Sequence, residues 1–233
     1  MSAIPFRHRR RGILPLVAVI AAVSAAIALP TGAAATADTH SRPHSQVMHS
    51  QQPGSKALLL HDRMRKLWED HITWTRLAIV SFAAGLPDFD LTAQRLLSNQ
   101  VDIGNAIKPY YGRRAGNQLT ALLKEHIAGA VELLKAAKAG DTAGFDAAKT
   151  AWYRNGDQIS RFLSRANPKN WPFRAVRTMM RGHLDLTLDE AAARLQGDFA
   201  ADIRDYEAVH RHILRMADML SDGIIRQFPG RFR

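Results

Sequence analysis

Residues 57–84 read ALLLHDRMRKLWEDHITWTRLAIVSFAA. Leu60, Met64, Leu67, His71, Trp74, Ala78 and Phe82 recur three or four apart, which places them on one face of an α-helix. The same period returns at Leu119, Leu122, His126, Ala130 and Leu133. It returns again at Val176, Met179, His183, Leu186 and Glu190, and at Ile203, Tyr206, His210, Ile213, Ala217, Leu220 and Ile224. No sustained apolar/polar alternation argues for a strand, so the chain reads as all-α.

Glycine, proline and Asx residues punctuate the helices. Gly85-Leu86-Pro87-Asp88, Pro109-Tyr110-Tyr111-Gly112, Gly140-Asp141-Thr142, Asn167-Pro168 through Trp171-Pro172 and Gly197-Asp198 are the five breaks. They predict six helices near 57–84, 89–108, 113–139, 142–165, 174–196 and 199–227. Short connections favour antiparallel neighbours, so the expected architecture is an up-down helical bundle.

A repeat underlies the bundle. His71, His126 and His183 are 55 and 57 residues apart, Asn99 and Asn155 are 56 apart, and Gly140-Asp141 precedes Gly197-Asp198 by 57. Three helical hairpins of about 56 residues account for these spacings. The register of Asn99 and Asn155 falls in the third hairpin at Arg211, beside His210 and His212.

Each of the three histidines replaces an apolar residue on its stripe, in the middle of helices that should run the same way. The expectation is therefore three imidazoles converging in the interior. A buried polar group without a partner costs a few kcal/mol, so partners are required. His71, His126 and His183 are candidate metal ligands, with Asn99, Asp102, Asn155 and Asp202 as further ligands or as partners that fix the imidazole tautomer. Nitrogen and oxygen donors without sulfur suit iron, manganese, zinc or copper. The same centre has two other readings. One is an enzyme with an open coordination position on the metal; the other is a structural or envelope-interaction protein whose polar layer only specifies helix register. Asp189 and Glu190 are adjacent and read as surface charges, and Trp68, Trp74, Trp152 and Trp171 as packing residues.

Several familiar catalytic patterns are absent. There is no His-Glu-x-x-His, no Gly-x-x-x-x-Gly-Lys-[Ser/Thr] and no Gly-x-Ser-x-Gly, and only one Glu-x-x-His, at Glu207–His210. With no cysteine there is no thiol nucleophile and no thiolate metal site.

The front of the chain reads as an address. Arg7, Arg9, Arg10 and Arg11 precede an apolar run from Ile13 to Leu29, and Ala35-Thr36-Ala37 fits a cleavage site. This pattern predicts a signal peptide over 1–37 and a secreted or extracytoplasmic protein, with an uncleaved N-terminal anchor as the alternative. Residues 38–55, rich in Ser, His, Gln and Pro, read as a disordered linker whose His40, His44 and His49 are solvated. The helical domain is then 56–233, with no membrane span once the signal is removed.

The whole chain carries 32 Lys and Arg against 21 Asp and Glu, a formal +11. Without the four signal arginines the balance is 28 against 21, or +7. The basic residues are spread along the sequence apart from the closing Arg226–Arg233 stretch. The partners this composition allows are a metal ion or small ligand and an anionic cell-envelope polymer. No aromatic-interleaved basic patch signals specific nucleic-acid binding.

Several phrases resemble a family of small bacterial all-helical proteins without established biochemistry. They are Leu67-Trp68-Glu69-Asp70-His71-Ile72-Thr73-Trp74-Thr75-Arg76, Arg95-Leu96-Leu97-x-Asn99-x-x-Asp102, Trp152-Tyr153-x-Asn155, Gly197-Asp198-Phe199-Ala200-Ala201-Asp202, and the ending from Met216 through Gly223-Ile224-Ile225-x-Gln227-Phe228-Pro229. The resemblance covers about residues 66–229 and implies an all-helical fold. Some members carry the name acetylglutamate kinase. The amino-acid kinase fold is α/β with glycine-rich phosphate loops, and this chain has neither. The resemblance supplies no catalytic residue.

Overall fold

A computed structural model describes residues 55–233. The signal peptide, the uncleaved-anchor alternative and most of the linker fall on residues outside this range. The described residues form an all-α bundle of α1 (Ser55–Ala84), α2 (Phe89–Ala139), α3 (Thr142–Ala166), α4 (Phe173–Gln196) and α5 (Phe199–Gln227), closed by a 3-10 turn at Pro229–Arg231. No described helix is long and apolar enough to cross a membrane.

There are five helices rather than the expected six. Pro109 is accommodated inside α2, and the break contracts to one residue, Gly112, with φ 82° and ψ 167°. Glycine alone adopts that backbone without steric penalty. The chain reverses there, so the two arms of α2 pack against each other. Gly104 meets Gly116 so closely that a Cβ on Gly104 would lie 2.6 Å from the Gly116 carbonyl oxygen. Two residues twelve apart in one straight helix would be about 18 Å apart. The other breaks lie where the sequence puts them. Asp141 and Asp198 cap α3 and α5 by accepting from the Gly144 and Ala201 amides at 2.9 and 3.0 Å.

The helices close into a ring in which each packs on the next and α5 returns to α1. The 56-residue period is present in the packing. Met64, Leu119 and Val176 are buried at equivalent positions, as are Ile103, Ile159 and Met216, and Ile107, Leu163 and Leu220. Burying each such side chain contributes about 1.5–3 kcal/mol, so each hairpin brings the same apolar strip to a shared centre.

The hydrogen bonds repeat too. Asn99 Nδ2 donates to the Leu67 carbonyl at 3.0 Å and Asn155 Nδ2 to the Leu122 carbonyl at 3.1 Å. In the third hairpin the equivalent bond runs from His212 Nε2 to the Met179 carbonyl at 2.8 Å. Leu67, Leu122 and Met179 each stand four residues before a central histidine. The third-hairpin register therefore falls at His212 and not at Arg211, because α4 and α5 carry one extra residue in the period.

Candidate functional site

The three histidines meet. His71, His126 and His183 are 2%, 4% and 3% exposed. The His183 ring centroid is 5.7 Å from that of His71 and 6.1 Å from that of His126. They converge because α1, the second arm of α2 and α4 run the same way and carry them at equivalent heights.

Their surroundings differ in detail. Gln100 Nε2 lies 2.7 Å from the Leu96 carbonyl, 3.1 Å from Asn99 Oδ1 and 3.2 Å from His71 Nδ1, so its two hydrogens are shared among three acceptors. Three acceptors around one amide nitrogen fix the orientation of the Gln100 amide. His71 Nδ1 is therefore an acceptor, and its proton sits on Nε2. At His126 the polarity is reversed. Asn155 Nδ2 is used on the Leu122 carbonyl, so Asn155 Oδ1 accepts from His126 Nδ1 at 3.0 Å. The His126 Nε2 lone pair is left bare. His183 has no amide partner, because His212 spends its Nε2 proton on the Met179 carbonyl. His183 Nδ1 is buried and has no partner among the described residues, and the same holds for Gln100 Oε1 and Trp68 Nε1.

All three rings are neutral. Burial pushes His71 down to about 3 and His126 down to about 4, and His183 lies well below the ordinary imidazole value for the same reason, reinforced by His71, His126 and His212. Trp152 stacks on His126 with ring centroids 5.0 Å apart and donates Nε1–H to the His126 carbonyl at 3.0 Å. In the other two hairpins a threonine hydroxyl does that work: Thr75 donates to the His71 carbonyl and Thr187 to the His183 carbonyl, both at 2.8 Å. Ala130, at the equivalent place in the second hairpin, has no hydroxyl. One turn beyond the rings lies an apolar cavity of about 50 Å³, lined in part by Thr75, Ala130, Trp152 and Thr187 but by none of the three histidines.

The remaining expected site residues divide. Asn155 touches the centre directly, and Asn99 stands beside His71 and bonds Gln100 through its Oδ1. Asp102 does not join it: its side chain is exposed on the outer face of α2. Asp202 is fully buried, but elsewhere, in a charged cluster. There Arg76 binds Asp202 with both guanidinium nitrogens, Arg194 Nη1 reaches Asp202 at 3.3 Å, and Arg76 Nη1 reaches Glu190 Oε1 at 3.1 Å. Glu190 is fully buried rather than a surface charge, and its Oε2 has no partner. Burial raises it to about 7 against the pull of Arg76. Its place on the apolar stripe with Val176 and His183 was the signal for its burial. For Gln100, the missed partner of His71, there was only its position next to Asn99.

Among the described residues no group of three or more His, Asp or Glu side chains is arranged to hold a metal ion. His71 carries its proton on Nε2 and uses its Nδ1 lone pair, and no carboxylate enters the layer. His126 Nε2 and one nitrogen of His183 are the imidazole lone pairs that remain.

No family model, curated protein or solved structure matches this chain. Its function is therefore argued from its own residues.

Proposed function

We propose that this chain is a non-catalytic interaction domain of the extracytoplasmic face. The histidine layer holds the three hairpins in register, and the outer surface does the binding. The observation that supports this best is the closure of the centre: three neutral rings, none more than 4% exposed, with the neighbouring cavity lined by other residues. Rings so little exposed offer a substrate almost no contact surface, and general acid–base work needs a group poised near the working pH. The amide and carbonyl bonds of each hairpin act only at one register, which is the best-attested use of buried polar groups.

One observation favours a second reading, a transition-metal site of iron, manganese, zinc or copper. His183 Nδ1 has no partner, and His126 Nε2 is bare. A metal drawing on both would relieve one orphaned group, with other ligands supplied by solvent or by movement of His71. Elemental analysis of protein purified after export, without chelator, separates the two. Metal far below one per chain, and a melting curve unchanged by EDTA, is the expected result. One metal per chain, lost in His126→Leu, would replace the first reading with the second.

A further inference from the structure

The three bonds Leu67–Asn99, Leu122–Asn155 and Met179–His212 lie at one level of the bundle and define a plane across it. Residues 55–67, 99–122, 155–179 and 212–233 lie on one side, and 68–98, 123–154 and 180–211 on the other. The first side holds 16 Lys and Arg against five Asp and Glu, a net +11. The second holds 11 against 15, a net −4. The basic residues, spread out in the sequence, are thus gathered at one end. Antiparallel packing brings the start of α1, the Gly112 turn, the α3–α4 loop and the chain end together there. Lys56 Nζ donates to the Arg233 carbonyl at 2.9 Å, and Tyr111 hydroxyl to Gln227 Oε1 at 2.6 Å.

Most of this charge is not neutralised within the protein. Arg113, Arg114, Arg165, Lys169 and Arg174 are exposed, and none forms an ion pair among the described residues. Exposed apolar side chains stand among them, Leu58 and Leu59 near the start of α1 and Phe173 at the start of α4; the other exposed apolar side chains, Leu77, Leu86, Leu91, Phe199 and Ile203, lie on the acidic side, which an anionic surface repels.

We infer that this end docks on a bilayer surface bearing anionic headgroups. The inference rests on reading the chain as a non-catalytic interaction domain. Two arguments select a bilayer over a dissolved polyanion. The net positive charge lies on one side of the plane and the net negative charge on the other, so the domain presents a single pole to an anionic surface. Leucine and phenylalanine side chains stand among the basic ones, as interfacial binding uses.

The test is co-flotation of the full chain with vesicles of phosphatidylcholine alone and with about 30 mol % phosphatidylglycerol added. Any contribution of the residues before Ser55 is common to both vesicles, so the difference between them is the readout. Each basic side chain held at an anionic surface gives about a fivefold gain in partition. The expected results are a preference for anionic vesicles that collapses between about 0.05 M and about 0.5 M salt, and a fall of about a hundredfold in Arg113→Glu/Arg114→Glu/Lys169→Glu. Lys124→Glu/Lys149→Glu/Arg204→Glu, with the same change in charge on the other side of the plane, keeps the preference. Equal partition to both vesicles, or equal loss in the two triple variants at matched helicity, overturns the inference. So does binding of soluble polyphosphate with no vesicle preference. These failures leave the non-catalytic reading standing, since metal content decides that one separately.

Discussion

Replacing His126 or His183 by leucine, one at a time, should have opposite effects although both rings are buried and lie in contact. His126→Leu strands Asn155 Oδ1, whose partner is the His126 Nδ1 proton, and removes the ring stacked on Trp152. A buried acceptor left unpaired costs about 1–3 kcal/mol, so the variant should lose about that much. His183→Leu strands nothing through Nδ1, because that atom has no partner to lose. It exchanges an unsatisfied buried nitrogen for an apolar side chain of similar size and should be neutral or stabilising by about 1 kcal/mol. The two variants should then differ by about 2 kcal/mol or more, and at this chain length each kcal/mol moves the midpoint by about 2–4 °C. Urea titration and thermal melts with and without EDTA read this directly. If His183→Leu loses as much as His126→Leu, the reading of His183 as an unpartnered structural ring is wrong. If EDTA abolishes the difference from wild type, a metal had been its partner.

Three further outcomes follow from the same contacts. The histidines have folded-state pKa values below the ordinary 6.5, so their contribution is complete above pH 6.5. It is lost as pH falls toward the folded values of about 4 and 3, with a slope of up to about 1.4 kcal/mol per pH unit for each ring. Urea midpoints across pH 4–7 should fall steeply on the acid side, and a flat profile would contradict three buried neutral rings. Glu190 has the opposite sign: raised to about 7, it contributes fully below its unfolded value of 4.5, and that contribution is lost as pH rises through 7. Glu190→Gln should therefore be more stable than wild type at pH 8, with little difference at pH 5, in paired denaturation curves. Gly223→Ala would set a Cβ 2.6 Å from Trp171 Cε2, and Gly104→Ala would do the same against the Gly116 carbonyl. Each should cost about 1–3 kcal/mol by overpacking, and wild-type stability in either would mean the helices are not so close.

The all-α class, four of the five breaks and the meeting of the three histidines were legible because they depend on period and on capping residues, which are local. Asp141 and Asp198 announce helix starts in any context. The reversal at Gly112 was legible as a break but not as a turn without a loop, since that depends on Gly104 and Gly116 fitting against each other. Asn155 was found from the repeat. Gln100 was missed, because which of two adjacent amides reaches His71 is decided by helix rotation. Asp102 and Asp202 were misplaced for the same reason: residues three or four apart share a face, but the sequence does not say which face. The gathering of charge at one end was hidden altogether, because alternate helices run in opposite directions and segments far apart in the sequence share it.

The hydrogen bond from Lys56 Nζ to the Arg233 carbonyl shows how near residues 56 and 233 lie. A short peptide could splice Arg233 to Ser55, and new ends could be cut at Gly85-Leu86-Pro87 or at Gly140-Asp141 without severing a helix. With three near-equivalent hairpins in a closed ring, such rearranged chains would begin on a different hairpin and reach the same arrangement.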